Sequence, residues 1–116
     1  MGLRIDWEQL DEVIGDDPDG MVELLHEFLS DIRSKIDAIE QAVLSNDIKQ
    51  VVWLAHQLKG SASNLGFIDF VEEASVIEEK GREGSLENAI IAIAHIRELF
   101  ERSVQEIKAA RSIFSK

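Results

Sequence analysis

The sequence has no cysteine, no tyrosine, one proline and seven glycines. Without cysteine there can be no disulfide, thiolate metal site or cysteine nucleophile. So little proline and glycine argues against a fibrous or low-complexity polymer. Long apolar runs are missing as well. The longest is Ala89 to Ala94, far below the roughly 20 residues that span a bilayer. Arg4 and Asp6 bring charge too early for a signal-peptide core, and Asp6 also spoils a myristoylation pattern. The expected location is cytoplasmic. Basic charge is scarce: 12 Lys and Arg stand against 23 Asp and Glu, for a formal net charge of −11. A nucleic-acid binder needs a basic face to displace counterions from phosphate, so that role is disfavoured, as is an anionic membrane surface. A partner must be met through a local patch of different character.

What the chain does have is helical periodicity. Its 116 residues, 45% hydrophobic, suit a single domain over 1–116 with one modest core. Asp6 to Ile14 reads as a short amphipathic helix with Trp7, Leu10 and Val13 or Ile14 on one side. Gly15-Asp16-Asp17-Pro18 reads as a turn, with Asp17 a good N-cap and Pro18 suited to the first helical position. A long helix from about Pro18 to Ser45 carries the stripe Met21, Leu24, Leu25, Phe28, Ile32, Ile36, Ile39 and Val43. Asn46-Asp47 is a break and cap. The next helix, about Ile48 to Leu65, has Val51, Leu54, Ala55, Leu58, Ala62 and Leu65 as its stripe, and Gly66 fits the left-handed residue that ends a helix. A shorter helix covers about Asp69 to Lys80, with Phe70, Val71, Ala74 and Ile77 facing the core. Gly81 and Gly84 bracket a turn. Ser85 can cap a last helix to about Ile113, whose apolar face is Leu86, Ala89, Ile90, Ile93, Phe100, Val104 and Ile107. Four amphipathic helices on short turns bury their stripes most economically as an antiparallel up-down-up-down four-helix bundle, with the short N-terminal helix as an extra cap. The fold class is all-α.

Reactive groups reduce to carboxylates, Lys, Ser and three histidines. On a helical wheel His56 points about 150° from the centre of its helix's apolar stripe, into solvent. Gly60, one turn later, lies on the same face. A glycine inside a helix costs roughly 1 kcal/mol relative to alanine, and nothing in the stripe requires this one. It removes a side chain beside an exposed imidazole, so a reacting group can approach a ring nitrogen closely. Lys59 puts a positive charge within one turn. Histidine's reference pKa of about 6.5 leaves an exposed imidazole mostly neutral and nucleophilic at pH 7. An exposed His, a gap and a Lys describe a phosphoryl acceptor. The plainer alternative is one more surface histidine beside a tolerated glycine. There is no Gly-rich loop and no Walker-type lysine with which to take a phosphoryl group from ATP.

The other candidates are weaker. Glu23-Leu24-Leu25-His26 is a Glu-x-x-His pattern of the kind used in pairs by di-iron bundles, but no second copy exists, so no metal is expected. His95 reads as a surface residue near Glu98. Ser61 and Ser63 lack a His-Asp arrangement. Glu72, Glu73 and Glu79 read as solvated faces. Val52 and Trp53 precede His56 by about one turn; Trp53 suits either an apolar docking rim or sideways packing on a neighbouring helix.

The run His56-Gln57-Leu58-Lys59-Gly60-Ser61, followed by small residues and Leu65-Gly66 and preceded by Leu54-Ala55, resembles the signature of the histidine-phosphotransfer (HPt) family of two-component phosphorelays. The order of the remaining segments resembles that family over nearly the whole chain. The resemblance implies a four-helix bundle that carries a phosphoryl group on His56 between the aspartates of response-regulator receiver domains, with a hybrid histidine kinase as a possible further partner. It implies a carrier and not an enzyme, with Lys59 assisting the phosphoryl group and Gly60 giving clearance. No cofactor of its own is implied; Mg²⁺ belongs to the receiver. Some family members place a Gln on the following helix near the His. The best match here is Glu78, which could accept a hydrogen bond from the imidazole but, ionised, cannot donate one to a phosphoryl oxygen. Arg82 could supply positive charge instead, with Lys80 a weaker candidate; solvated roles for Glu78 and Arg82 stand beside these. A transient contact of this kind suggests an interface on the order of 1,200 Å² or less, and the chain suits a monomer. Two alternatives remain: an adaptor that binds receivers without accepting phosphate, and a fragment of a larger hybrid or chemotaxis-type kinase.

Overall fold

The computed structural model describes residues 2–14 and 18–111, with the side chains of 14, 18–22 and 111 outside that description. Among the described residues five helices follow one another: α1 (Trp7–Ile14), α2 (Pro18–Leu44), α3 (Ile48–Asn64), α4 (Ile68–Arg82) and α5 (Ala89–Arg111). In the core, α2 packs against α3, α3 against α4, α4 against α5, and α5 back against α2, which closes a four-helix bundle. Cross-helix pairs give the directions. Arg33 meets Glu101 while Arg97 meets Asp37 and Glu40, so α2 and α5 are antiparallel. α1 lies across α2 and α3 as the extra N-terminal helix.

The stripes account for the core. Leu25, Leu29, Ile32, Ile36 and Ile39 of α2 meet Val51, Leu54, Ala55, Leu58 and Ala62 of α3. Phe70, Ala74 and Ile77 come from α4, and Ile93, Ile96, Phe100, Val104 and Ile107 from α5. Burying such side chains contributes roughly 1.5–3 kcal/mol each before conformational entropy is subtracted. Phe70 and Phe100 meet edge-on, with ring centroids 6.3 Å apart. Leu24 and Ile90, expected in the stripes, lie at their margins and are exposed, because the neighbouring helices cover a narrower face than periodicity alone implies.

Local chemistry sets the boundaries. Asp6 accepts from the Gln9 amide at 3.1 Å and starts α1. Asp47 accepts from the Gln50 amide at 3.2 Å and starts α3, after Asn46 turns the chain with φ of 56°. Gly66, at φ of 77°, ends the α3 run as expected. The N-terminal segment straps over this α3–α4 turn. The Asp6 amide donates to the Gly66 carbonyl at 2.8 Å, and Arg4 Nε donates to Asp69 Oδ1 at 2.7 Å.

Two turn expectations are corrected. Gly81 is not in a turn; it lies inside α4, which continues to Arg82. Ser85 does not cap α5. Its Oγ accepts from the Glu87 amide at 3.1 Å within a turn, Asn88 adopts φ of 61°, and α5 begins only at Ala89. Asp16 and Asp17, the Met21 side chain and the expected helix end at Ile113 lie outside the described residues.

A histidine, a lysine and an arginine on one buried carboxylate

His56 projects from the outer face of α3, its side chain 58% exposed. Val51, Leu54, Ala55 and Leu58 turn inward and hold the helix against the core, which leaves the imidazole on the far side. Gly60 lies one turn on. A Cβ built there would meet nothing within 4 Å, so the space beside the ring is open. Trp53, one turn back, is 54% exposed, so much of its ring is available to a partner.

The side chain that organises the site comes from α4. Glu78 is only 6% exposed, and three cation-bearing groups converge on its carboxylate. His56 Nδ1 is 3.0 Å from Oε2. Arg82, one turn along α4, reaches the same oxygen through Nη2 at 2.6 Å and Nε at 3.2 Å. Lys59 Nζ forms an ion pair with Oε1 at 2.8 Å. Burial by itself would raise the Glu78 pKa. The contacts from Lys59, Arg82 and His56, together with the Lys59 charge, outweigh it and hold the value at about 2. The carboxylate is therefore ionised and can only accept. It follows that Nδ1 carries a ring proton, so in the neutral ring the lone pair lies on Nε2.

The structure thus brings His56, Lys59, Glu78 and Arg82 into direct contact, with Gly60 as open space beside them. Lys80 is on another face, lining an apolar groove between α4 and α5 with Val76 and Ile91. His95 pairs with Glu73 at 3.4 Å, away from this site. Among the described residues, no cluster of three or more His, Cys, Asp or Glu side chains could hold a metal ion. Among them also, no helix is long and apolar enough to cross a membrane. Sequence reasoning put Glu78 near the imidazole but did not find that it is buried, or that Lys59 and Arg82 both rest on it. The available signal was its spacing: Glu78 directly follows Ile77 on the edge of the α4 stripe, with Arg82 at i+4.

An antiparallel helical bundle that presents a solvent-facing imidazole, tautomer set from below and flanked by a lysine and a gap, has the form of a histidine phosphoacceptor domain. The family model for the Hpt domain matches residues 23–109. The chain belongs to the Hpt domain family, and its function is histidine phosphotransfer in a phosphorelay. Among solved structures, the fold is similar to histidine-containing phosphotransfer protein B (HptB) from Pseudomonas aeruginosa PAO1. The two share 24% sequence identity at a TM-score of 0.84, over 94% of this chain and 95% of that one. No curated protein matches the chain.

Proposed function

We propose that His56 is the phosphoacceptor and that Nε2 is the reacting atom. The observation that carries this reading is the hydrogen bond from Nδ1 to the ionised Glu78, which in the neutral form of this exposed ring puts the lone pair on Nε2. In the forward step this lone pair attacks the phosphorus of a receiver's aspartyl phosphate. The N–P bond forms, the O–P bond breaks, and its electron pair returns to the aspartate carboxylate. The reverse sequence loads a second receiver. Gly60 admits the receiver's reacting carboxylate to the ring. Lys59 supplies charge to the phosphoryl oxygens. Arg82 holds Glu78 in place and adds positive field at the site. Much of the transition-state stabilisation then belongs to the receiver and its Mg²⁺, and this chain brings no cofactor.

The carrier reading also covers what surrounds the site. Residues 1–116 act as one domain, a cytoplasmic monomer whose partners are response-regulator receiver domains and a hybrid histidine kinase. It passes the phosphoryl group on and does not catalyse phosphorylation from ATP. The test is incubation with a phosphorylated receiver domain. Wild type should acquire an acid-labile, base-stable label, and His56→Gln should acquire none. Tight receiver binding with no label on wild type would replace this reading with that of an adaptor.

A further inference from the structure

We propose that Glu78 is a positioning residue that keeps the proton on Nδ1 of His56 throughout the phosphoryl cycle, so that the phosphorylated ring always departs as neutral imidazole. This rests on the reading of His56 as the carrier. When Nε2 takes up a phosphoryl group, both ring nitrogens are substituted and the ring gains a formal positive charge. A free phosphoimidazole relieves that charge by losing the Nδ1 proton as pH rises. Its leaving group would then be imidazolate, a much stronger base and a poorer leaving group.

In this site that loss is opposed. Nδ1–H faces Oε2 of the ionised Glu78 at 3.0 Å, and phosphorylation adds positive charge to the donor side of this already charge-assisted hydrogen bond, making it an ion pair. The charged groups facing the ring are Lys59 on its own helix and Glu78 and Arg82 on α4. Among the described residues, no charged side chain of α2 or α5 pairs with it. Lys59 and Arg82 oppose proton retention through their charge, but each is itself bound to the Glu78 carboxylate, and the incoming phosphoryl group brings further negative charge. Among the described residues, only Glu78 pairs with Nδ1. When the phosphoryl group leaves, the N–P electron pair returns to Nε2 and an O–P bond forms on the receiving aspartate. Nδ1 is unchanged, so the ring is at once ready for the next transfer without exchanging a proton with solvent.

The test needs no partner protein. Wild type and Glu78→Gln are phosphorylated with phosphoramidate, a small N–P donor. Loss of label to water and the ¹⁵N signals of the phosphorylated His56 ring are then followed over about pH 6 to 9. Gln has nearly the same size and can still accept from Nδ1, but it carries no charge. The midpoint for Nδ1 proton loss should be at least about one pH unit higher in wild type, a tenfold difference in the proton equilibrium. Dephosphorylation should stay level with pH in wild type and slow beyond the midpoint in the variant. Coinciding midpoints overturn the inference and leave the carrier reading standing. Failure of both phosphoramidate and a phosphorylated receiver to label His56 overturns the carrier reading itself. If Glu78→Gln does not fold, wild type alone decides: its midpoint must lie above that of phosphohistidine free in solution, and an equal or lower value overturns the inference.

Discussion

Gly81 and Val52 set the distance between α3 and α4: a Cβ added at Gly81 would lie 2.6 Å from Cγ2 of Val52. The absence of a side chain at this one position lets α4 approach α3 closely one turn from the pair formed by Glu78 and His56. Val52 is β-branched and stiff at χ1, so it cannot readily swing aside. Gly81→Ala should therefore cost about 1–3 kcal/mol, as overpacking does, even though alanine is the better helix former. Val52→Ala in the same chain should return part of that loss. Chemical denaturation of the single and double variants measures both, and an unaltered midpoint for Gly81→Ala would contradict the packing argument.

Gly60 should behave in the opposite way. Its added Cβ meets open space, so Gly60→Ala should stabilise the protein by up to about 1 kcal/mol through helix propensity. Gly60→Gln should keep the helical circular dichroism spectrum but slow transfer from a phosphorylated receiver by at least about tenfold, equivalent to roughly 1.4 kcal/mol of barrier. Undiminished transfer by the Gln variant would remove the steric role of the gap.

Acid stability should depend on Glu78. Its pKa is lowered in the folded protein from an ordinary 4.5 to about 2. A depressed carboxylate contributes stability that is complete above the unfolded value and is lost as pH falls through the folded one. Wild type should accordingly lose stability between about pH 4.5 and 2, and Glu78→Gln should show a flatter profile there. Above pH 5 the variant should be less stable than wild type, since Lys59 and Arg82 lose a charged partner. Urea midpoints measured across that range, with parallel profiles as the contrary result, check the assignment.

Trp53 stands one turn from His56 on the same outer face and is more than half exposed, so it gains little from the fold. Trp53→Ala should leave thermal stability within about 0.5 kcal/mol, the usual range for surface changes. It should weaken receiver binding by at least about 1 kcal/mol, as loss of an aromatic anchor does. Labelling by phosphoramidate should stay at the wild-type rate, because that reaction does not use the docking surface. Receiver binding as tight as wild type would remove Trp53 from the interface.

Much of this protein is legible without coordinates. The 3.6-residue spacing of Leu25, Leu29, Ile32, Ile36 and Ile39, or of Val51, Leu54, Ala55, Leu58 and Ala62, specifies helices with one apolar face, and those faces need each other. Asp47 and Gly66 mark ends because side-chain capping and a left-handed backbone are local events. The outward direction of His56 and the gap at Gly60 are also local, since both follow from position on a single helix. The turn chemistry after α4 was less legible. Gly81 has the composition of a turn residue, and only its contact with Val52 explains why it belongs to a helix.

Sequence by itself therefore determined the bundle, its helices and the exposed imidazole on α3, because periodicity and capping act within a few residues. Only the tertiary structure decided the state of Glu78. Its burial depends on how α4 settles on α3, and its ionisation depends on Lys59, Arg82 and His56 arriving from two helices at one carboxylate. No single helix carries that information, since the pKa of a buried acid is set by neighbours that folding brings together.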